Sequence, residues 1–504
     1  MKTYGRCTCF ANYTEEQLLS GTKEEIEAKV IDILSNSVEI HNKNKTDSIY
    51  LQNYLYGDQD IKDKVKLTRT DINNTGVENW AWAFQDWKKA FLLGKPIQYA
   101  PKDDKANEEI STLNDYVSYE NKQSKDQDLY EDIFTVGRAF RYISGSKIND
   151  EDEAPFDILN LDVLNTEVVY SSSIKHEQLL AFVQTSKKYI VQEVNPETNK
   201  KEDVTKYYDE YTVYTRNKKY RIDNKLGTFR ILDTKPIIVN THIITEYYFN
   251  KARMSFLEIC KDIFDDINYV ENLDKDDIEA FVNSIMVFTN AEVDETAMEG
   301  IKKFGAVSIK STDQKKASVE LLQSRLKSLD TQIYYLRKLS ALHSILSVPE
   351  ATQSGNLSNA ETGKAMFTGQ GFTSASIRVE NEENSFKQFD RNSLKVILKV
   401  CKITKNSNIK ELKVSNIDIK FSRDLSDNLL VKTQALINLA TANIPPEIRN
   451  AVVGLFNDPL AVTRLQEAYL KEKQALEVAI KNKTVVEEQN NDIQDTTELQ
   501  EQDN

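Results

Sequence analysis

Apolar positions in the first 140 residues repeat at helical spacing. Behind Thr14-Glu15-Glu16-Gln17, the residues Ile26, Val30, Ile33 and Leu34 share one face, which predicts a helix within 14–42. Ser48 to Tyr56 predicts a second helix, stopped at Gly57. Val77 to Leu93 predicts a third, closed by Gly94 and followed by Lys95-Pro96. Asn107–Val117 and Gln127–Arg138 add two more. Between Phe156 and Val239 the character changes. Glu167–Tyr170, Leu179–Thr185, Tyr211–Thr215 and Tyr220–Ile222 are rich in Val, Ile, Tyr and Thr and alternate with polar turns, Asn195-Pro196-Glu197-Thr198-Asn199 among them. That pattern predicts an antiparallel sheet.

The middle of the chain returns to helical spacing. Ser255 and Glu258 form a capping-box signature ahead of Phe256, Ile259, Ile263, Ile267 and Val270 on one face, and Asp274 to Ser284 continues in the same style. Two short β-like stretches follow, Ile285–Val293 and Ala306–Lys310. A second long helix is predicted over Val319–Leu346, where Leu322, Leu326, Leu329, Ile333 and Leu336 step by four and three, close to a heptad. Two long helices thus bracket an insert of about forty residues, the layout of a stalk with a tip. In Ser347–Thr373, Gly355, Gly363, Gly369 and Gly371 gather four of the chain's 15 glycines into a short stretch. A helix over Ser374–Cys401, a strand over Val414–Phe421 and a helix over Ser426–Ala442 come next. Pro445-Pro446 breaks the chain before a helix over Ile448–Phe456, and Asp458-Pro459 opens a last one. From Val485 onward every charged residue is acidic and apolar residues are few, so the tail is expected to be disordered.

Composition narrows the function classes. With 504 residues, two to four core-bearing units are expected. The longest apolar runs, such as Leu179–Val183 and Ala451–Phe456, fall far short of the roughly 20 residues a spanning helix needs. Met1–Tyr13 has no signal-type apolar core, so a soluble cytosolic product without membrane contact is expected. The net charge of −14 argues against a protein that clamps nucleic acid but does not exclude a pore that a duplex slides through, and composition alone does not choose between the two.

Candidate chemistry largely cancels. Cys7 and Cys9 form a C-x-C pair with no second pair to complete a zinc site, while Cys260 and Cys401 lie in apolar helical patterns as core residues. His41, His176, His242 and His343 sit in no triad or metal motif, and Trp80, Trp82 and Trp87 are expected to pack a core. The adjacent pairs Asp265-Asp266 and Asp276-Asp277 diverge by about 100° on a helix, which favours solvated charges over metal ligands. Ser358 to Ala365, S-N-A-E-T-G-K-A, imitates a phosphate-cradling loop. However, Ser358 stands where the first Gly belongs, Ala365 replaces the metal-binding hydroxyl, and a helix rather than a strand precedes it. No catalytic residue, cofactor or metal site is assigned, and the chain reads as a non-enzyme.

It is the order of short elements that carries a resemblance. Tyr54-Leu55-Tyr56-Gly57, then Asn73-Asn74, Gly94-Lys95-Pro96-Ile97-Gln98-Tyr99, Val136-Gly137-Arg138-Ala139-Phe140, Tyr247 to Asn250, and Pro349 with Gly355-Asn356-x-Ser358 run in sequence over residues 50 to 400. Together they resemble the portal (head-tail connector) proteins of tailed bacteriophages, of the type found in long-tailed phages of Gram-positive hosts. Asn359 stands where that family usually has Gly, and the three tryptophans lie outside its pattern.

The resemblance implies a helix-rich α+β fold in portal architecture. Residues 1–250 and 374–424 would form an α/β wing, 251–275 and 319–346 the two stem helices, and 276–318 a small α/β clip. Residues 347–373 would be a Gly-rich tunnel loop, 425–484 a helical crown and 485–504 the acidic tail. It further implies a ring of twelve subunits at one capsid vertex of the virion, assembled in the host cytoplasm, through which double-stranded DNA passes. The tunnel loop would face DNA through Gly355, Asn356, Ser358, Asn359, Gly363, Lys364, Gly369 and Gly371. The clip, with Glu292, Asp294, Glu295, Lys302 and Lys303, would face the terminase large subunit and later a head-completion adaptor, with major capsid and scaffolding proteins as further partners. Two rivals remain from the residues alone: a capsid or tail structural protein without a DNA channel, and a nuclease or NTPase of unfamiliar pattern.

Overall fold

The computed structural model describes residues 4–67, 70–102, 106–145, 153–194, 201–225, 227–282, 285–289, 318–322, 328–350, 372–405, 407–422, 429–453, 462–463 and 465–475. The chain divides into two compact units, one of 1–359 with 366–421 and one of 360–365 with 422–504. Helices and sheets mix throughout the first, an α+β fold.

Where two helices are expected near the start, there is a short one, Glu15–Leu19 (α1), and then a single helix over Lys23–Leu55 (α2). Both begin on capping boxes, Thr14 with Gln17 and Thr22 with Glu25. The inward stripe of α2 changes chemistry along its length, which disguises its continuity. Val30, Ile33 and Leu34 pack one core and Leu51, Tyr54 and Leu55 another, while Ser37, His41, Asn44 and Ser48 between them are buried but polar. Trp80–Leu93 (α3), Asn107–Tyr119 (α4) and Lys122–Val136 (α5) follow. The last stops two residues short of the expected Arg138, because Gly137 takes a left-handed φ of 91°. Trp80 and Trp87 pack against the core as expected; Trp82 is 47% exposed and does not.

The predicted sheet is six-stranded. Cys9–Ala11 (β1) lies parallel to Thr166–Ser171 (β5), which is followed in spatial order by Gln178–Val194 (β6), Lys201–Tyr214 (β7), Lys218–Asp223 (β8) and Arg230–Pro236 (β9), all antiparallel. The strands β6 and β7 run far beyond the expected 179–185 and 211–215. The turn expected at 195–199 lies outside the described residues. A second sheet orders Ile244–Tyr247 (β10), Ala139–Gly145 (β3) and Phe156–Leu161 (β4). Its apolar residues merge with those of α3, α4 and α5 into the main core. Gln98–Pro101 (β2) pairs with Ile417–Lys420 (β13), a shorter strand than expected because Val414–Asn416 forms a 3-10 turn.

Phe256–Val282 (α6) and Phe372–Ile403 (α8) match the expected long helices to within a few residues. The helix expected over 319–346 begins only at Ser328 (α7, Ser328–Leu346), so its heptad is not continuous. Ser318–Leu322 (β12) is instead a strand, paired antiparallel with Ile285–Thr289 (β11). Val-Glu-Leu-Leu fits either state, and the partner strand decides. In the second unit Leu429–Thr441 (α9) is followed by Asn443 at a left-handed φ of 55°, and Pro446–Val453 (α10) starts on its own proline, nearer the break than expected. The helix expected after Asp458-Pro459 is described only in part, as helical residues at 462–463 and 465–475. The acidic tail from 485 lies outside the described residues.

Candidate functional site

The expected clip residues Glu292, Asp294, Glu295, Lys302 and Lys303 lie outside the described residues, as do the expected tunnel-loop residues Gly355, Asn356, Ser358, Asn359, Gly363, Lys364, Gly369 and Gly371. What is described are the helices that flank them in sequence: the start of α6, its flank, and the junction of α7 with α8.

The turn before α6 is fixed from several sides. Asn250 accepts from the Met254 N–H at 2.9 Å and donates to the Met254 carbonyl at 2.7 Å. Ser255 and Glu258 complete the capping box, each bond 2.9 Å. Arg253 holds a left-handed φ of 51° and reaches Glu246 with two bonds, 2.6 and 2.9 Å, with its guanidinium 4.4 Å from the Tyr248 ring centre. Gly5 and Gly137 press on this turn so closely that a Cβ on either would lie about 2 Å from a carbonyl oxygen, that of Ala252 or of Arg253. The glycine of the Val136–Phe140 element is thus demanded by contact with the entry to α6.

Along α6 a stripe at Lys261, Asp265, Asn268, Asn272 and Asp276 is fully engaged by residues 54–79. Tyr54 donates to Asp265 at 2.6 Å and Lys261 reaches Asp60 at 2.7 Å. Asn268 accepts from the Glu78 N–H at 2.8 Å. Asn272 both accepts from the N–H of Gly76 and donates to its carbonyl, each at 2.6 Å. Asp276 receives Lys64 at 2.7 Å, Lys66 at 2.6 Å and the Asn74 N–H at 2.6 Å. Burial pushes the Asp276 carboxyl up, but these donors outweigh it and hold the group well below the ordinary aspartate value. The expectation of a solvated Asp276 is therefore corrected: the residue is buried, and its partners come from a loop some 200 positions away. Across the helix pair, Lys338 of α7 reaches Asp266 of α6 at 2.6 Å.

At the far end, two cations gather the C-terminus of α7 onto α8. Lys88, buried on α3, donates to the Leu346 carbonyl at 3.2 Å and pairs with Glu382 of α8 at 2.5 Å, while Tyr130 donates to the other Glu382 oxygen at 2.9 Å. Arg378 of α8 donates to the Ser344 carbonyl at 3.0 Å. Both sit where the helix dipole favours positive charge. The last turn of α7 is consequently held against the N-terminal part of α8. Tyr99, from the Gly94–Tyr99 element, donates to Asp390 of α8 at 2.8 Å.

Among the described residues no group of three or more His, Cys, Asp or Glu could hold a metal, and no helix is long and apolar enough to cross a membrane. The histidines make structural contacts, such as His41 with Gln184 at 3.1 Å. Cys260 and Cys401 are buried, and burial pushes both thiols up to about 12.

Four of the short elements thus place a residue on or against a long helix: Tyr54, Tyr99, Gly137 and Asn250. The sequence profile of the family described as "Phage portal protein, SPP1 Gp6-like" matches residues 34–478, a span that contains all of them. The chain belongs to that family of phage portal proteins. No curated protein matches it. Portal proteins are structural components of the bacteriophage capsid. They act in genome packaging and in connecting head to tail, as rings at a capsid vertex through which DNA passes. Residue patterns alone did not single out Lys88, Arg253 or the α6 stripe. The four-residue steps Asn268, Asn272, Asp276 were the available signal, but polar residues on one helix face read equally as a wetted surface.

Proposed function

We propose that the chain forms a closed ring, twelve subunits in the virion, that serves as the channel for genome packaging and exit and as the platform for head-tail joining. Residues 1–250 and 374–424 form its wing, α6 and α7 its stem, and 425–484 its crown. The clip between the stem helices, with Glu292, Asp294, Glu295, Lys302 and Lys303, meets the terminase large subunit and afterwards a head-completion adaptor, while capsid and scaffolding proteins surround the ring. The chain carries no catalytic site of its own; packaging energy comes from the terminase motor.

The 347–373 segment is the tunnel loop. The observation that supports this best is the clasp of Lys88 and Arg378. A glycine-rich segment that joins two helices already tied to each other can shift as a duplex moves past without parting them. Lys364, its only cation, gives each subunit one transient phosphate contact, too few to stall sliding. Gly355→Val and Gly363→Val should leave rings intact and lower the DNA packaged per procapsid. Lys364→Glu should alter packaging or retention more than ring stability. Normal packaging in all three variants contradicts the loop's role.

A further inference from the structure

The ribbon of β6 and β7 leaves its sheet. Strand β5 pairs with β6 only as far as Val183, and β8 pairs with β7 only from Glu210. Beyond Ser186↔Asp209 the two strands continue as a pair from Lys187↔Tyr208 to Val194↔Lys201, with no further strand on either side among the described residues. At about 3.4 Å per residue this projects about 27 Å. A lone two-stranded ribbon with open edges is marginally stable in water and invites another chain.

Its two faces differ. One carries Tyr189 and Tyr208, in edge contact at 5.7 Å between ring centres, with the Lys225 ammonium 4.2 Å from the Tyr189 ring centre. That face is already partly covered by its own chain. The other carries Lys188, Ile190 and Gln192 opposite Tyr207, Thr205 and Asp203, and every one of these is exposed, Ile190 at 68% and Tyr207 at 74%.

We propose that this bare face is a subunit contact: it lies against the neighbouring copy of the same chain in the ring. Area selects that occupant. A face about 27 Å long and two strands wide offers about 300 Å², less than half of the roughly 800 Å² per partner in a stable independent interface. A separate partner would not stay on it, whereas a neighbour already held in a closed ring meets it at high effective concentration. Cyclic closure also requires each subunit to present two unlike surfaces, and a one-sided projection supplies one of them. This inference rests on the ring-forming reading.

The test uses the full-length chain with a photo-crosslinking amino acid at Ile190 or, as the control on the opposite face, at Lys187. Irradiated rings should give covalent dimers and higher multiples with the probe at 190 and several-fold less with the probe at 187. The pair I190E/Y207E should keep its circular dichroism and melting temperature while its rings dissociate at lower denaturant than wild type. Monomer bands alone from position 190 in intact rings, together with wild-type ring stability of I190E/Y207E, overturn the inference and leave the ring reading standing. A wild-type chain that forms no ring in electron micrographs overturns both.

Discussion

The two ends of the helix pair are built differently. The entry to α6 is locked by shape: two glycines against carbonyl oxygens, an arginine held at φ 51° by a two-pronged ion pair, and an asparagine clamping the turn. The exit from α7 is held by charge: Lys88 and Arg378 on terminal carbonyls, and Glu382 drawing Lys88 to α8. Shape complementarity tolerates little displacement, since backbone atoms already touch. Charge–carbonyl contacts weaken more gradually with distance. The first unit thus fixes one end of the α6–α7 pair by close backbone contact and the other by charged groups on terminal carbonyls.

Breaking the entry should cost most. Arg253→Met leaves the buried Glu246 without the arginine that pairs with it, with the Tyr170 hydroxyl still donating, and is expected to destabilise the first unit by about 3–5 kcal/mol in urea unfolding. Gly137→Ala puts a Cβ against the Arg253 carbonyl at a left-handed φ, with an expected loss of about 2–3 kcal/mol. Either variant melting like wild type would show the entry to be less constrained than its contacts indicate.

Acid should loosen the buried carboxylates of the first unit next. Burial pushes Glu167 up, but the Arg138 guanidinium and the His41 contact outweigh it and hold the carboxyl at about 2; Asp276 is held down as well. Groups depressed in the fold stabilise it above the ordinary carboxylate range. That contribution fades as pH falls from about 4.5 towards 2. Glu167→Gln should flatten this part of the stability–pH curve, and an unchanged slope would count against the assignment. The smallest effect is expected at the exit. Arg378→Ala removes a partly solvated contact at a helix C-terminus, worth about 0.3–1 kcal/mol, and should shorten hydrogen-exchange protection at the end of α7 more than it lowers overall stability.

The difference between the ends also explains what was legible beforehand. Ser255 with Glu258 announced the start of α6 because a cap is local chemistry. Its flank was not legible, since Asn268, Asn272 and Asp276 gain meaning only from Gln59, Lys64, Asn74, Gly76 and Glu78, far back in the chain. Buried charges such as Arg138, Arg141 and Lys88 look in sequence like any surface cation. Ser318–Leu322 reads from sequence as the head of α7 because its strand partner lies about thirty residues upstream. The distal half of β6, Lys187–Val194, was missed for a related reason: with both faces open to solvent at least in part, it shows no clean alternation.

We propose that these helices line a ring, and electron microscopy of the purified full-length chain at micromolar concentration decides it. Closed rings of one cyclic symmetry with a central opening and a narrow stalk are expected; a stable monomer, or an open assembly without a channel, rules the ring out.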